Sequence, residues 1–277
     1  MNVLIVGLLP YDSGKTTVAK HLILEAVERG MDVGISKPIC AVNGWYRYYC
    51  IVRSAKYGKL IGDDVYRLHK VANSSEPIEN ENPFALLLMP PDPERIEWRS
   101  SAYTALSITE QVVLIRITTL SETKHMMVST NISKLTDTLK NILSDLIDKL
   151  DPKPINIDYR DLDNIILNAN TIADECLKYI TDRHEFNVIE SYSDAAMPTR
   201  QALTNVDVIV AVAPGKIAIY EGELYKKALI AISSVKEPWL TKTEEVLPLL
   251  NPVKTFNTKP FRSVELLDEI LRFSKQE

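Results

Sequence analysis

The residues best suited to chemistry lie near the start of the chain, in Gly7-Leu8-Leu9-Pro10-Tyr11-Asp12-Ser13-Gly14-Lys15-Thr16-Thr17. A glycine-containing loop that ends in Lys-Thr at the start of a helix suits a polyphosphate. Free N–H groups and the positive end of the helix dipole face the anion, the lysine reaches the terminal phosphates, and the next hydroxyl holds Mg²⁺. This reading assigns Ser13, Gly14, Lys15, Thr16 and Thr17 to a nucleotide and Thr16 to the metal. The usual pattern has a glycine where this chain has Leu9, and the nearest upstream glycine is Gly7. A surface turn before an ordinary helix is the competing reading, and the strand-loop-helix setting favours the nucleotide. Asp12 and Ser13 either orient a water or substrate or serve as ordinary loop formers, and Asp12 stands as a catalytic candidate beside Lys15.

The flanking pattern explains how such residues would be positioned. Asn2 to Val6 reads as an apolar strand, and Lys15 to Arg29 reads as a helix with Val18, Leu22, Ile23 and Ala26 on one face. Gly30 supplies a stop, and Asp32 to Ser36 reads as a second strand ending at Lys37-Pro38. Parallel strands joined by a crossover helix present their carboxyl ends on one rim, which places Lys37 with Lys15 at a shared phosphate site. Gly62 to Ala72 has Val65, Leu68 and Val71 at helical spacing, with Asp63 and Asp64 at its start. Acids there either meet a metal or cap the helix. Trp45, Tyr46, Tyr48 and Tyr49 either shape a substrate pocket or pack in a core.

Beyond Asn82 the pattern predicts a buried strand or extended segment at 83–91 closed by prolines, a β hairpin or edge addition from 111–118 and 124–129, and a helix over 133–150. It then predicts strands at 164–167, 186–189, 207–212 and 253–256, with helices near 171–180, 223–233 and 264–272. The implied class is α/β, a three-layer α/β/α arrangement with a mostly parallel central sheet, helices on both faces and a β-rich insertion. The whole of 1–277 reads as one domain, with an inserted elaboration at 95–160.

The 277 residues are 45% hydrophobic and 25% charged, an ordinary globular balance, and the net charge of −5 gives no general attraction to nucleic acid or membrane. The chain opens directly into a strand without a leader pattern or bilayer-length apolar run, so the expectation is a cytoplasmic protein. Cys40, Cys50 and Cys176 are too dispersed for a zinc cage, and His21, His69, His125 and His184 supply no zinc spacing. The stripe from Leu135 to Ile147 leaves a homodimer open, with a buried core face as the competing reading. Asn257-Thr258-Lys259-Pro260 is partly like a guanine-recognition motif but lacks the acid two positions beyond the lysine, which favours ATP over GTP and assigns Asn257 to the nucleotide.

Taken together, Gly14-Lys15-Thr16, Gly34-Ile35-Ser36-Lys37-Pro38, Gly62-Asp63-Asp64-Val65-Tyr66-Arg67-Leu68, Asn82-Pro83 and Val188-Ile189-Glu190 resemble motifs of the dethiobiotin synthetase family and the related amidotransferase-type cobyrinic acid synthases. The overall likeness extends to uncharacterised archaeal P-loop ATPases and GTPases. The resemblance implies that Lys37 contacts phosphate and a reacting carboxylate, and that Asp64 and Glu190 join Thr16 in holding magnesium. After Glu190 the chain has Ser191-Tyr192-Ser193-Asp194-Ala195-Ala196 where the family has a glycine-rich turn. The nucleotide and metal roles therefore carry over, and the biotin-pathway substrate does not. The expected activity is a magnesium-dependent ATPase acting as a phosphotransferase or ATP-dependent ligase on a small polar molecule. The alternatives are an ATPase or GTPase switch working with a protein partner, and a binding protein with an inactive nucleotide site.

Overall fold

The computed structural model describes residues 1–232, 237–257 and 264–273. The chain begins with β1 (Asn2–Gly7), α1 (Lys15–Glu28), β2 (Val33–Ser36) and β3 (Ile39–Asn43). It continues with α2 (Tyr48–Tyr57), α3 (Asp63–Ala72), the single turn α4 (Ile78–Glu81) and β4 (Phe84–Leu88). Two short helices, α5 (Ser100–Ala105) and α6 (Ile108–Gln111), precede the hairpin β5 (Val112–Thr118) and β6 (Thr123–Met127). Then come α7 (Ser129–Ile132), α8 (Asp137–Ile147), β7 (Ile155–Asn156), α9 (Leu162–Leu167) and α10 (Ala169–Arg183). The remainder is β8 (Phe186–Glu190), α11 (Arg200–Asn205), β9 (Val208–Ala213), β10 (Lys216–Glu221), α12 (Gly222–Ile232), α13 (Thr243–Val246), β11 (Lys254–Asn257) and α14 (Val264–Leu271).

The strands form two mixed sheets, ordered β11-β10-β9-β1-β8-β2 and β3-β4-β5-β6-β7. In the first sheet β9, β1, β8 and β2 are parallel. Their near-continuous apolar sequences reflect burial on both faces. Val3 and Ile5 of β1 point to the side covered by Ala19, Leu22, Ile23 and Ala26 of α1, together with Leu68 of α3 and Leu267 of α14. Leu4 and Val6 point to the other side, where Leu177 of α10, Ala202 of α11 and Tyr225 and Leu229 of α12 cover them. The two-residue strand period sends alternate side chains into two cores, which is why β1 must be apolar throughout.

The second sheet begins where the first leaves off. The chain passes from β2 through Lys37-Pro38 straight into β3, with Lys37 N–H donating to Glu81 O (2.8 Å) and Phe84 N–H to Pro38 O (3.1 Å). Helices α2 and α8 cover one face, with Ile51, Leu139, Leu143 and Leu146 packed on Val42, Leu87 and Leu114. On the other face Leu162 of α9 and Ala169 of α10 meet Phe84, Leu86 and Ile115. Helix α10 lies against strands of both sheets.

Among the described residues the strands thus form two mixed sheets where one was expected, and the first is parallel in three of its five pairings. Gly215, at φ 77°, makes a tight reversal after β9, so β10 returns antiparallel and β11 pairs antiparallel to it. The hairpin expected at 111–129 is present as β5 and β6, paired antiparallel, and it extends a sheet whose first strands, β3 and β4, come from before residue 95. The expected strand at 164–167 is helix α9 instead. Its β-branched pair Ile165 and Ile166 suggested a strand, whereas both pack as a helical face on the second-sheet core. The stripe from Leu135 to Ile147 packs on the second-sheet core, with Leu135, Leu139, Leu143 and Leu146 buried in it, as the competing core-face reading expects. Among the described residues no helix is long and apolar enough to cross a membrane.

His125 on β6 binds two segments that no sheet pairing joins. Its Nε2 accepts from Leu60 N–H (3.3 Å) and its Nδ1 lies 2.9 Å from Pro152 O, an arrangement that fits the neutral ring protonated at Nδ1. Burial pushes its pKa down to about 4, and the nearby Arg116 and Lys59 charges act in the same direction. Between pH 6.5 and about 4 the unfolded chain takes up a proton at this ring and the folded protein does not, so stability falls with acidification by up to roughly 3 kcal/mol. Equilibrium urea unfolding across this range should give a slope for His125→Gln that is shallower by about one proton. Equal slopes would contradict the neutral buried ring.

Candidate nucleotide and metal site

Strands β1, β8 and β2 are neighbours and parallel, so Gly7, Glu190 and Ser36 end on one rim of the sheet. The loop from Gly7 folds back over its own strand. A Cβ on Gly7 would lie 2.3 Å from Ser13 Oγ and 2.7 Å from Lys15 Nζ, so a side chain there would displace both groups from the positions they hold over β1. Asp12 and Gly14 both have left-handed backbones, at φ 52° and 95°, and the second leads directly into α1. Gly14 offers no side-chain cap, and Val18 N–H is the first to find an acceptor, Gly14 O at 3.1 Å. Among the described residues the N–H groups of Lys15, Thr16 and Thr17 face no protein acceptor. Unpaired N–H groups at a helix start are donors of the kind that suit an anion.

Both lysines are buried beside this helix start. Lys15 Nζ donates to Ser13 Oγ (3.2 Å) and Ser193 O (2.6 Å). Burial, with repulsion from Lys37, lowers its pKa to about 8. Lys37 Nζ lies 2.7 Å from Glu190 Oε1, 2.9 Å from Ser191 O and 3.6 Å from Asp64 Oδ2. Burial alone would depress the Lys37 ammonium, but Glu190 and Asp64 together hold it above its ordinary value. Glu190 is buried as deeply, and burial raises it against the pull of Lys37. Thr16 Oγ1 donates to the same Glu190 Oε1 at 2.9 Å.

The oxygens needed for a cation are present in part. Glu190 Oε2 is buried without a hydrogen-bond partner, an acceptor with unused capacity. Thr16 touches the same carboxylate, and Asp64 faces the same ammonium. This hard oxygen set suits Mg²⁺, which is commonly held by one or two carboxylates with phosphates and water completing the shell. Among the described residues no group of three His, Cys, Asp or Glu could hold a metal by itself. The neighbouring Asp63 is committed elsewhere, bound by Arg47, Arg53 and Arg67.

Lys15, Thr16, Lys37, Asp64 and Glu190 thus come together, with Ser13 packed on Lys15. Asp12 is exposed at the crest of the loop and has no ion pair or hydrogen bond among the described residues. Thr17 is exposed on the first turn of α1. Asn257 ends β11 opposite Lys216, on the same rim as Gly7 and three strands from β1. Thr258, Lys259 and Pro260 lie outside the described residues. Trp45, Tyr46, Tyr48 and Tyr49 are exposed, so they are not core residues.

Sequence reasoning missed the segment after β8 as a partner of both lysines, because carbonyl acceptors leave no side-chain signature. Its shape is set by Ser193 at φ 45° and by anchors to a distant stretch: Tyr192 Oη to Trp239 O (2.8 Å) and Ala196 N–H to Thr241 O (2.9 Å). Asn82 stood in one of the motifs without an assigned role; its Nδ2 donates to Lys37 O at 2.6 Å. Comparison with family models, characterised proteins and solved structures finds no match for this chain.

A polyphosphate bound at this loop would favour the charged form of Lys15 and raise its pKa above 8. Above pH 8 binding should take up a proton, and affinity should fall by up to about tenfold per pH unit. Calorimetry of pyrophosphate in buffers of different ionisation enthalpy measures that uptake. Uptake equal to the wild type in Lys15→Met would exclude Lys15 as its source.

Proposed function

We propose that this protein is a magnesium-dependent P-loop ATPase with a three-layer α/β/α core, acting as a phosphotransferase or ATP-dependent ligase on a small polar molecule. The observation that carries this reading is the convergence of Lys15, Thr16, Lys37 and Glu190 at a glycine-walled helix start, with one Glu190 oxygen unused. The sequence resemblance to the dethiobiotin synthetases supports the same assignment. The Lys15 to Thr17 N–H groups and the Lys15 ammonium would receive the terminal phosphates. Thr16, Glu190 and Asp64 would hold Mg²⁺, which would neutralise phosphate charge. Lys37 would stabilise charge on the transferring group, so positioning and electrostatics supply the rate enhancement. Lys15 would exchange the Ser193 carbonyl for phosphate oxygen, a stronger charge-assisted partner. ATP is the preferred nucleotide and GTP the alternative.

One observation favours the second reading, a regulatory ATPase or GTPase switch. Ser191 O and Ser193 O hold both lysines, and their loop is tied through Thr243 N–H to Asp194 O (2.8 Å) and through Tyr192 to the 239–243 stretch. A nucleotide competing for Lys15 would release that loop. Stimulation of turnover by a small molecule, with a phosphorylated or ligated product, identifies the enzyme; stimulation by a protein alone identifies the switch.

Titration of the folded protein with ATP, ADP and GTP in magnesium tests the shared premise. Lys15→Ala should weaken ATP binding by at least about tenfold, and Thr16→Ala should chiefly remove the magnesium dependence. Absence of nucleotide binding at millimolar concentration would eliminate both readings, and a strong GTP preference would reverse the cofactor assignment.

A further inference from the structure

The N-terminus of α3 gathers charge that the proposed phosphate chemistry does not use. Asp63 is buried there and takes three guanidinium groups: Arg47 Nη1 at 3.0 Å, Arg53 Nη1 at 3.1 Å and Arg67 Nη2 at 2.7 Å. The Tyr49 hydroxyl donates to the same carboxylate at 3.0 Å. The arginines come from three places: the turn before α2, α2 itself and the second turn of α3. Anchoring α2 to α3 requires one of them. Three positive charges around one negative charge leave two in excess, and like charges this close repel one another.

The surplus is available to a ligand. The side chains of Arg47 and Arg67 are 43% and 48% exposed. Among the described residues their remaining guanidinium nitrogens, Nε and Nη2 of Arg47 and Nε and Nη1 of Arg67, have no protein acceptor. Arg53 is fixed by stacking, with its guanidinium carbon 3.7 Å from the centroid of the Tyr66 ring. Asp64, the next residue after Asp63, lies 3.6 Å from Lys37 and contributes to the field at Arg47. The cluster therefore borders the phosphate site. Trp45, Tyr46 and Tyr48 expose their rings on the approach to α2.

We infer that Arg47, Arg53 and Arg67 form an anion-binding site that anchors a carboxylate or phosphate group of a small acidic substrate beside Asp64. The anchoring of a second substrate rests on the proposed ATPase reading; the anion site itself does not. Asp63 keeps the guanidiniums gathered when no ligand is bound and competes with the ligand for them. The planar fork of arginine binds carboxylate or phosphate through paired N–H donors, and the exposed aromatic rings offer faces to the body of the acid. The anchor lies across Asp64 from Lys37, so it holds a part of the substrate that does not react.

The test is calorimetric titration of the full chain with two probes, succinate and inorganic phosphate. The proteins compared are the wild type, Lys15→Ala, Arg47→Gln/Arg67→Gln and Asp63→Asn, each checked for folding by thermal denaturation. At least one probe should bind the wild type and Lys15→Ala alike, and the stronger one identifies the anion class. The double arginine variant should bind that probe about tenfold or more weakly, and Asp63→Asn should bind it several-fold more tightly because the competing carboxylate is gone. If the double variant does not fold, Arg67→Gln alone and Asp63→Asn carry the comparison. The inference is overturned if neither probe binds the wild type at millimolar concentration, if loss of the arginines changes nothing, or if Lys15→Ala abolishes binding. A wild type that binds succinate but no ATP would reject the ATPase reading and leave the anion site standing.

Discussion

The ion pair between Lys37 and Glu190, 2.7 Å apart and almost entirely shielded from water, is the constraint around which the site is built. Removing two charges from water costs several kcal/mol per ion, and their attraction offsets this only when the remaining donors and acceptors are also met. Here Ser191 O and Asp64 take the rest of the ammonium, and Thr16 donates to the carboxylate. One lone oxygen, Glu190 Oε2, is left over. Loss of either partner alone would strand a buried charge at a cost of about 3–5 kcal/mol. Apolar residues of similar volume could fill the space at no such cost, so the pair makes sense as a device for position and charge.

Holding Lys37 in place recruits the second sheet. Asn82 Nδ2 donates to Lys37 O, and Asn82 is itself gripped by Arg116 through both its backbone carbonyl and its Oδ1. Arg116 is buried on β5, where burial lowers its pKa to about 10, and among the described residues no carboxylate binds it. Its charge is solvated by oxygens instead, including Leu60 O at 2.7 Å and Thr118 Oγ1 at 2.6 Å. A lysine would offer one rotatable ammonium in this space, whereas the fixed fork of arginine reaches several acceptors at once. The β3–β7 sheet thus holds the Lys37 backbone through Asn82, while Glu190 meets its ammonium.

How far the sequence revealed this depends on whether a role is local. The placement of Lys15 and Thr16 was legible because the strand, the turn and the helix start that position them are contiguous in sequence. Lys37 was legible because the crossover rule puts consecutive parallel strand ends on one rim. The strand-helix alternation likewise showed β1, β2, β8 and β9, while β10 was hidden because a hairpin at Gly215 needs no pattern longer than its own turn. Helix α9 was misread because β-branched residues favour strands only when context does not override them. Ser191 and Ser193 act through carbonyls, and Asn82 and Arg116 act through contacts distant in sequence, so no spacing could expose them. Asp12 had a suggestive position, yet its left-handed backbone leaves it at the exposed crest of the loop.

The adjacent acids Asp63 and Asp64 show how one helix start can serve two neighbourhoods. Successive helical residues point about 100° apart, so a pair at the beginning of α3 cannot face the same partner. Asp64 turns to Lys37, and Asp63 turns to the three arginines. Both carboxylates gain from the positive end of the helix dipole, which offsets part of the cost of burying Asp63. A basic cluster merged with the two lysines would repel them and draw any anion to their midpoint. The paired acids lower that repulsion and divide the positive field into a region around Lys15 and Lys37 and another around Arg47 and Arg67.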